Sequence, residues 1–128
     1  MSQPSLNKVF FIGFLTEKPI IRYVPSGIPV VNFSLAVHRG YSSPSKKETL
    51  DYFNIIAWRE LAVFCHDNLG RGSWVWLEGR LQVRVYQDKG GQKRKVYEVI
   101  AHEVKPLNGL EADSLEENQN LPDVKEDK

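Results

Sequence analysis

The sequence predicts a single all-β domain with one short helix and a long β-hairpin. Three observations carry this. Up to residue 107 most of the chain divides into segments in which apolar residues recur at every second position, the period of a strand with one face on a core. Only one segment, residues 59–69, keeps helical spacing instead. The longest alternation, from Trp74 to Tyr86, runs through a glycine-containing turn into a returning strand.

The first strand, Lys8 to Leu15, is apolar on both parities, with Val9, Phe11, Gly13 and Leu15 on one face and Phe10, Ile12 and Phe14 on the other. Such a strand is covered on both sides or meets another subunit. Ile20 to Val24 is a short strand between the turn signals Lys18-Pro19 and Pro25-Ser26-Gly27. Ile28 to Arg39 alternates well. Val31, Phe33, Leu35 and Val37 face the core, and Asn32, Ser34, Ala36 and His38 make a low outer face over which a ligand backbone can pass. Tyr41 stands at the mouth of a polar loop, Ser42 to Glu48, that carries Lys46 and Lys47. Leu50 to Trp58 is the next strand, with neither face plainly in solvent.

Arg59 to Leu69 is the helix, with Leu61, Ala62, Cys65 and Leu69 along one stripe and Gly70 placed to end it. In the long strand that follows, the odd positions Val75, Leu77, Gly79, Leu81, Val83 and Val85 read as the core face. The even positions are Trp74, Trp76, Glu78, Arg80, Gln82, Arg84 and Tyr86, so the outer face carries cations and rings. The turn spans Gln87 to Gln92, and Lys93-Arg94-Lys95 begins the return with a basic tip. A basic hairpin with exposed rings can follow a polyanion and stack on its bases. Tyr97 to Leu107 closes the domain, with Glu98, Ile100, His102, Val104 and Pro106 opposite Val99, Ala101 and Glu103.

At 128 residues and 41% hydrophobic content the chain suits one domain with one modest core. A net charge of +1 conceals an asymmetry. Residues 1–108 hold 15 Lys or Arg against 9 Asp or Glu, a net of +6, and residues 109–128 hold 2 Lys against 7 acids, a net of −5. The expected organisation is a basic binding domain over 1–108 and a disordered acidic tail over 109–128. Cys65 is the single cysteine, so no internal disulfide forms. No signal peptide or membrane span is visible, and a cytoplasmic, soluble protein is expected. His38, His66 and His102 are scattered, no zinc-site spacing occurs, and no phosphate loop or catalytic triad is recognisable. The expectation is therefore no metal, no cofactor and no catalytic residue, with His66 a helix-surface histidine.

Strand, strand, strand, helix, strand, strand, with a long fourth strand, is the order of a five-stranded OB-fold barrel, the helix lying between strands 3 and 4 and the hairpin forming an extension. The residues go further. Asn7-Lys8-Val9 with Ile12-Gly13 and Leu15, Pro19 with Arg22-Tyr23 and Gly27, Val31 to Ala36, Leu61-Ala62, and Gly72-Ser73 with Val75, Glu78-Gly79 and Leu81 together resemble the bacterial single-stranded DNA-binding protein family, over roughly residues 6–107. That resemblance implies sequence-independent binding of single-stranded DNA in replication, recombination and repair. It implies stacking aromatics at Tyr41, Tyr52, Trp58 and Tyr86, where the family favours tryptophan at three positions and phenylalanine at that of Trp58. It implies phosphate contacts from Lys8, Arg22, Arg39, Arg71, Arg84 and Arg94, with Lys46, Lys47, Lys93 and Lys95 on the loops. It also implies a homotetramer, or a dimer, with Val9, Phe11, Phe53, Trp74 and Trp76 at subunit contacts.

The end, Leu121 to Lys128, lacks the acidic Ile-Pro-Phe type of tip through which family members dock on replication and repair proteins. The alternatives at this point are a dimeric primosomal OB-fold assembly factor in replication restart and an OB module that binds protein or RNA.

Overall fold

The computed structural model describes residues 3–39 and 49–107. Its elements in chain order are β1 (Val9–Leu15), β2 (Ile20–Tyr23), β3 (Pro29–His38), β4 (Leu50–Trp58), α1 (Arg59–Asn68), β5 (Trp74–Gln87) and β6 (Lys93–Pro106). The strands lie in the order β1-β5-β6-β4-β3-β2, and β1 pairs again with β3. Five strands therefore close a ring, while β2 stays outside as an antiparallel edge strand on β3. Closure pairs each ring strand on both sides over part of its length. This is the expected OB-fold barrel, with α1 between the third and fourth ring strands and β2 as a sixth strand beside them.

The core forms because the odd positions of β3 and β4 and the first half of β5 all turn inward. Leu15, Val31, Phe33, Leu35, Ile55, Ala57, Val75, Leu77 and Val99 are buried together, and α1 adds Ala62, Cys65 and Leu69. The helix stripe read from spacing is thus the packed one. Its far end is held from β1's side of the barrel, where Lys18 Nζ donates to the carbonyls of His66 at 2.7 Å and Leu69 at 3.3 Å. A cation there also suits the negative end of the helix. His66 is half-buried, and its Nδ1 is buried with no partner among the described residues, so it is not a simple surface residue. Gly70 does not supply the left-handed ending; that conformation falls at Gly72, in the turn to β5.

Two glycines sit where backbones approach too closely for a side chain. A Cβ on Gly13 would collide with the Ala36 carbonyl oxygen where β1 meets β3, and one on Gly79 with the Ile100 carbonyl oxygen. Gly79 lies beside a register shift: Glu78 pairs Glu103, yet Gly79 pairs Ala101. The bulge flips parity along β6. Val104 is buried and Glu103 exposed, the reverse of what unbroken alternation predicts.

The apolar face of β5 also changes role at this point. Val75 and Leu77 are fully buried, but Leu81, Val83 and Val85 are 41%, 47% and 54% exposed. The sequence reading carried the core face to Val85. The barrel ends sooner, because beyond Leu81 the β5–β6 hairpin extends past the ring, with no third layer behind it among the described residues.

Candidate nucleic-acid interface

Strand register decides which side chains share a face. The β3–β4 pairing sets Ala36 against Tyr52, Ser34 against Asn54, Asn32 against Ile56 and Val30 against Trp58. Their neighbours on the other parity fill the core, so these residues lie on the outer side of the sheet, where Val30, Ala36 and Ile56 are themselves buried. The parallel β4–β6 contact sets Ile56 against Ile100. The hairpin then sets Gln82 against Glu98, Arg84 against Val96 and Tyr86 against Arg94. One outer face therefore runs from β2 across β3, β4 and β6 to the far half of β5.

On this face Tyr52, Trp58 and Tyr86 are 62%, 40% and 44% exposed, a combination of ring and access that suits stacking. Trp58 is placed by an abrupt corner. It ends β4 and precedes α1 directly, with φ −121° and ψ 153°, and Arg59 then takes φ 62°. A left-handed conformation at a non-glycine residue costs on the order of 1 kcal/mol, and it turns strand into helix with no loop.

The cations are anchored. Arg22 donates through Nη2 to Asn32 Oδ1 at 2.9 Å. Arg84 donates through Nη2 to Glu98 Oε2 at 2.9 Å and through Nε to Oε1 at 3.4 Å, and its guanidinium stands 5.8 Å from the Tyr86 ring centre. The Glu98 hydrogen bond and charge hold Arg84 still more firmly protonated than usual. Arg94 donates to Asp88 Oδ2 at 2.8 Å across the turn.

The remaining sequence-predicted positions scatter. Arg39 pairs with Asp51 at 3.1 Å, beside the chain ends of β3 and β4, and Arg71 is exposed in the turn before β5. Lys93 and Lys95 are opposite Gln87 and Val85, on the parity facing away from Tyr86 and Arg94. Lys8 is bound to Glu78 at 2.7 Å and lies near the Phe10 ring, which puts it on another surface. Tyr41, Lys46 and Lys47 lie outside the described residues, as does the acidic segment 109–128.

That other surface is formed by β1 and the first half of β5. The pairing sets Ile12 against Trp76 and Phe14 against Trp74. Phe10 and Ile12 are 59% and 53% exposed, and the Phe10 and Phe14 rings lie 6.0 and 5.1 Å from those of Trp76 and Trp74. Of the five residues expected at subunit contacts, Trp74 and Trp76 are here. Val9, Phe11 and Phe53 turn the other way and pack against their own core, Phe11 stacked on Phe53 at 4.4 Å. The open apolar face belongs instead to Phe10 and Ile12, the opposite parity of β1.

Asn54 and Glu98 also belong to the face that carries Tyr52, Trp58 and Tyr86 and did not stand out in the sequence. Their only signal there is position in an alternating strand; what brings them together is the parallel register of β4 and β6. Among the described residues no group of three metal-ligating side chains occurs, and no helix is long and apolar enough to cross a membrane.

Comparison with known proteins agrees with this architecture. A family model for the single-strand binding protein family matches residues 6–107. A single-stranded DNA-binding protein of Caldanaerobacter subterraneus subsp. tengcongensis is 39% identical over 126 residues, covering 96% of this chain and 84% of the relative. One from Neisseria meningitidis serogroup A is 40% identical over 86% of this chain, and single-stranded DNA-binding protein A of Bacillus subtilis 39% identical over 81%. This chain spans 64% and 62% of the length of those two. The match runs from the first residues before β1 to the end of β6, and takes in both the ring and the hairpin: the chain belongs to the single-strand binding protein family.

Proposed function

We propose that this protein binds single-stranded DNA, protecting it and removing its secondary structure in replication, recombination and repair. The observation that carries this reading is the set of three half-exposed rings, Tyr52, Trp58 and Tyr86, on one sheet face with Arg22, Arg84 and Arg94. Stacking needs an open base face, which duplex DNA hides, so the surface selects the unpaired strand. Every base has such a face, and the stacking itself is therefore tolerant of sequence. On this reading Tyr41 also stacks on a base, Lys46 and Lys47 also hold phosphates, and Arg39, Arg71, Lys93 and Lys95 hold phosphates at the margins of the face. The work is binding linkage and involves no catalysis: whichever DNA state exposes more rings and phosphates to the protein is favoured. The protein acts in the cytoplasm, on the nucleoid, as a homotetramer.

The test is quenching of tryptophan fluorescence on titration with oligo(dT) and with a duplex of equal length, at low and high salt. Strong quenching by oligo(dT), weak duplex binding and an affinity that falls with salt are expected. Tyr52→Ala, Trp58→Ala and Tyr86→Ala should each weaken oligo(dT) binding by about 1–3 kcal/mol, with Trp58→Phe close to the parent. Equal affinity for both DNA forms, or three alanine variants that bind as the parent does, would overturn the stacking mechanism.

A further inference from the structure

His38 ends β3, opposite Leu50 of β4, and alternation sets it on the outer side of the sheet with Ala36. The ladders connect it to β1 and β5, because Phe14 pairs with Ala36 on one side and with Trp74 on the other. Three rings therefore gather. The centres of Phe14 and Trp74 are 5.1 Å apart, and His38 stands 6.3 Å from the first and 6.2 Å from the second, its plane within 7° of the indole. His38 is exposed and continues the strip of Phe10, Ile12, Phe14, Trp74 and Trp76 on the β1–β5 side. Of these side chains it alone can take up a proton. The charged groups on the strands around it are engaged with one another: Arg39, next in the chain, with Asp51 of β4 at 3.1 Å, Lys8 with Glu78 at 2.7 Å and Lys105 with Glu103 at 3.3 Å. No carboxylate among the described residues pairs with His38.

We propose that His38 makes association between copies of this chain through the β1–β5 face sensitive to protons, closing the contact when neutral and loosening it when charged. The inference rests on the reading of that face as a subunit contact and adds a control to it. Two effects act in the same direction. In the separate chain a protonated imidazole lying parallel over Trp74 keeps its water on one side and meets the electron-rich face of the indole on the other. In the assembled pair an apolar partner surface replaces that water, and removing water from a charged ring disfavours its charged form. The proton must then leave as the contact closes. A group that gives up a proton on assembly leaves the contact at full strength above its ordinary range and opposes it as pH falls below that range. Acid therefore separates the chains while the barrel core, which holds no histidine, is untouched.

The experiment is fluorescence-detected sedimentation of the full chain without DNA, over a dilution series that reaches dissociation, at pH 8 and pH 5.5. Circular dichroism at both values checks that the barrel stays folded. The parent is compared with His38→Phe, which keeps a ring on Trp74 and never charges, and with His38→Gln, which keeps a polar group and never charges. His66 and His102 are present in all three, so a difference between parent and variants belongs to position 38. The parent's dissociation constant should rise by about tenfold or more from pH 8 to pH 5.5, the mass-action factor for excluding a proton one unit below an ordinary histidine value of about 6.5. In His38→Phe and His38→Gln it should change by less than about threefold, which is well short of that factor. A parent equally tight at both pH values overturns the proposal, as does an equal loosening of the parent and both variants. Tighter association of the parent in acid also overturns it, since a carboxylate of the second chain would then face the ring. A parent that is monomeric at pH 8 at every concentration removes the subunit contact itself, and the proton control with it; this result is distinct from an assembly that ignores pH.

Discussion

Arg84 shows how one side chain serves two neighbours: it is held by Glu98 and lies beside the Tyr86 ring, so guanidinium and ring form one surface. Cys65 illustrates the opposite case, a reactive group with no task. It is fully buried in the helix-facing core, and burial pushes its thiol up to about 12. The thiolate is the nucleophile, and at about pH 8 almost none is present. An aromatic disulfide reagent added to the native protein at that pH should modify Cys65 no faster than the protein unfolds, and immediately once denaturant is present. Rapid modification of the folded protein would show that the α1 stripe opens locally.

At the scale of the element, the β5–β6 turn is organised by Asp88. Its Oδ1 accepts from the backbone N–H groups of Gly90 at 3.0 Å and Gln92 at 2.9 Å, while Oδ2 accepts from Arg94. The Arg94 hydrogen bond, helped by the Gln92 and Gly90 N–H groups, holds the carboxyl below its usual range. A carboxylate with a lowered folded value contributes its stabilisation fully above the ordinary carboxylate range. That contribution is lost as pH falls through the folded value. Amide resonances of Gly90 and Gln92 should therefore shift below the ordinary aspartate range, and Asp88→Asn should remove that titration. A shift at the unperturbed aspartate value would contradict the pairing. The bulge makes a second element-scale prediction. Gly79→Ala forces a methyl into the Ile100 carbonyl, so it should cost about 1–3 kcal/mol in chemical denaturation, the range of overpacking in a tight interior. A neutral Gly79→Ala would mean that β5 and β6 can separate there freely.

For the whole molecule, the barrel divides its surface between two tasks. One side, across β3, β4 and the β5–β6 hairpin, carries Tyr52, Trp58 and Tyr86, the rings proposed to stack, and the other, formed by β1 and the first half of β5, carries Phe10, Ile12, Phe14, Trp74 and Trp76. Contiguous exposed apolar and aromatic groups of this kind mark a surface that meets protein. On the proposed tetramer this is a subunit contact. Trp76→Arg should lower the mass seen in analytical sedimentation while leaving the circular dichroism of the barrel intact, because Trp76 lies outside the core cluster. An unchanged mass would remove Trp76 from the interface.

Much of the fold was legible because period-two alternation is a local property: strand order, the single helix and the inward residues of β3 follow from it. The rings at Tyr52, Trp58 and Tyr86 were legible through family resemblance; alternation placed Tyr86 on an outer face but left neither face of Leu50 to Trp58 plainly in solvent. What the chain could not reveal locally was where alternation would stop meaning burial. The bulge between Glu78 and Gly79 exchanges the roles of Glu103 and Val104, and the hairpin leaves Leu81, Val83 and Val85 in the open; both depend on how far β6 runs beside its partners. The grouping of Asn54 with Glu98, and the choice of Phe10 and Ile12 rather than Val9 and Phe11 as the open face of β1, are likewise consequences of register. Side-chain chemistry is written residue by residue. Which of those residues meet is decided by ring closure, since a strand's two faces acquire their meaning only when the sheet curves and one of them becomes the inside.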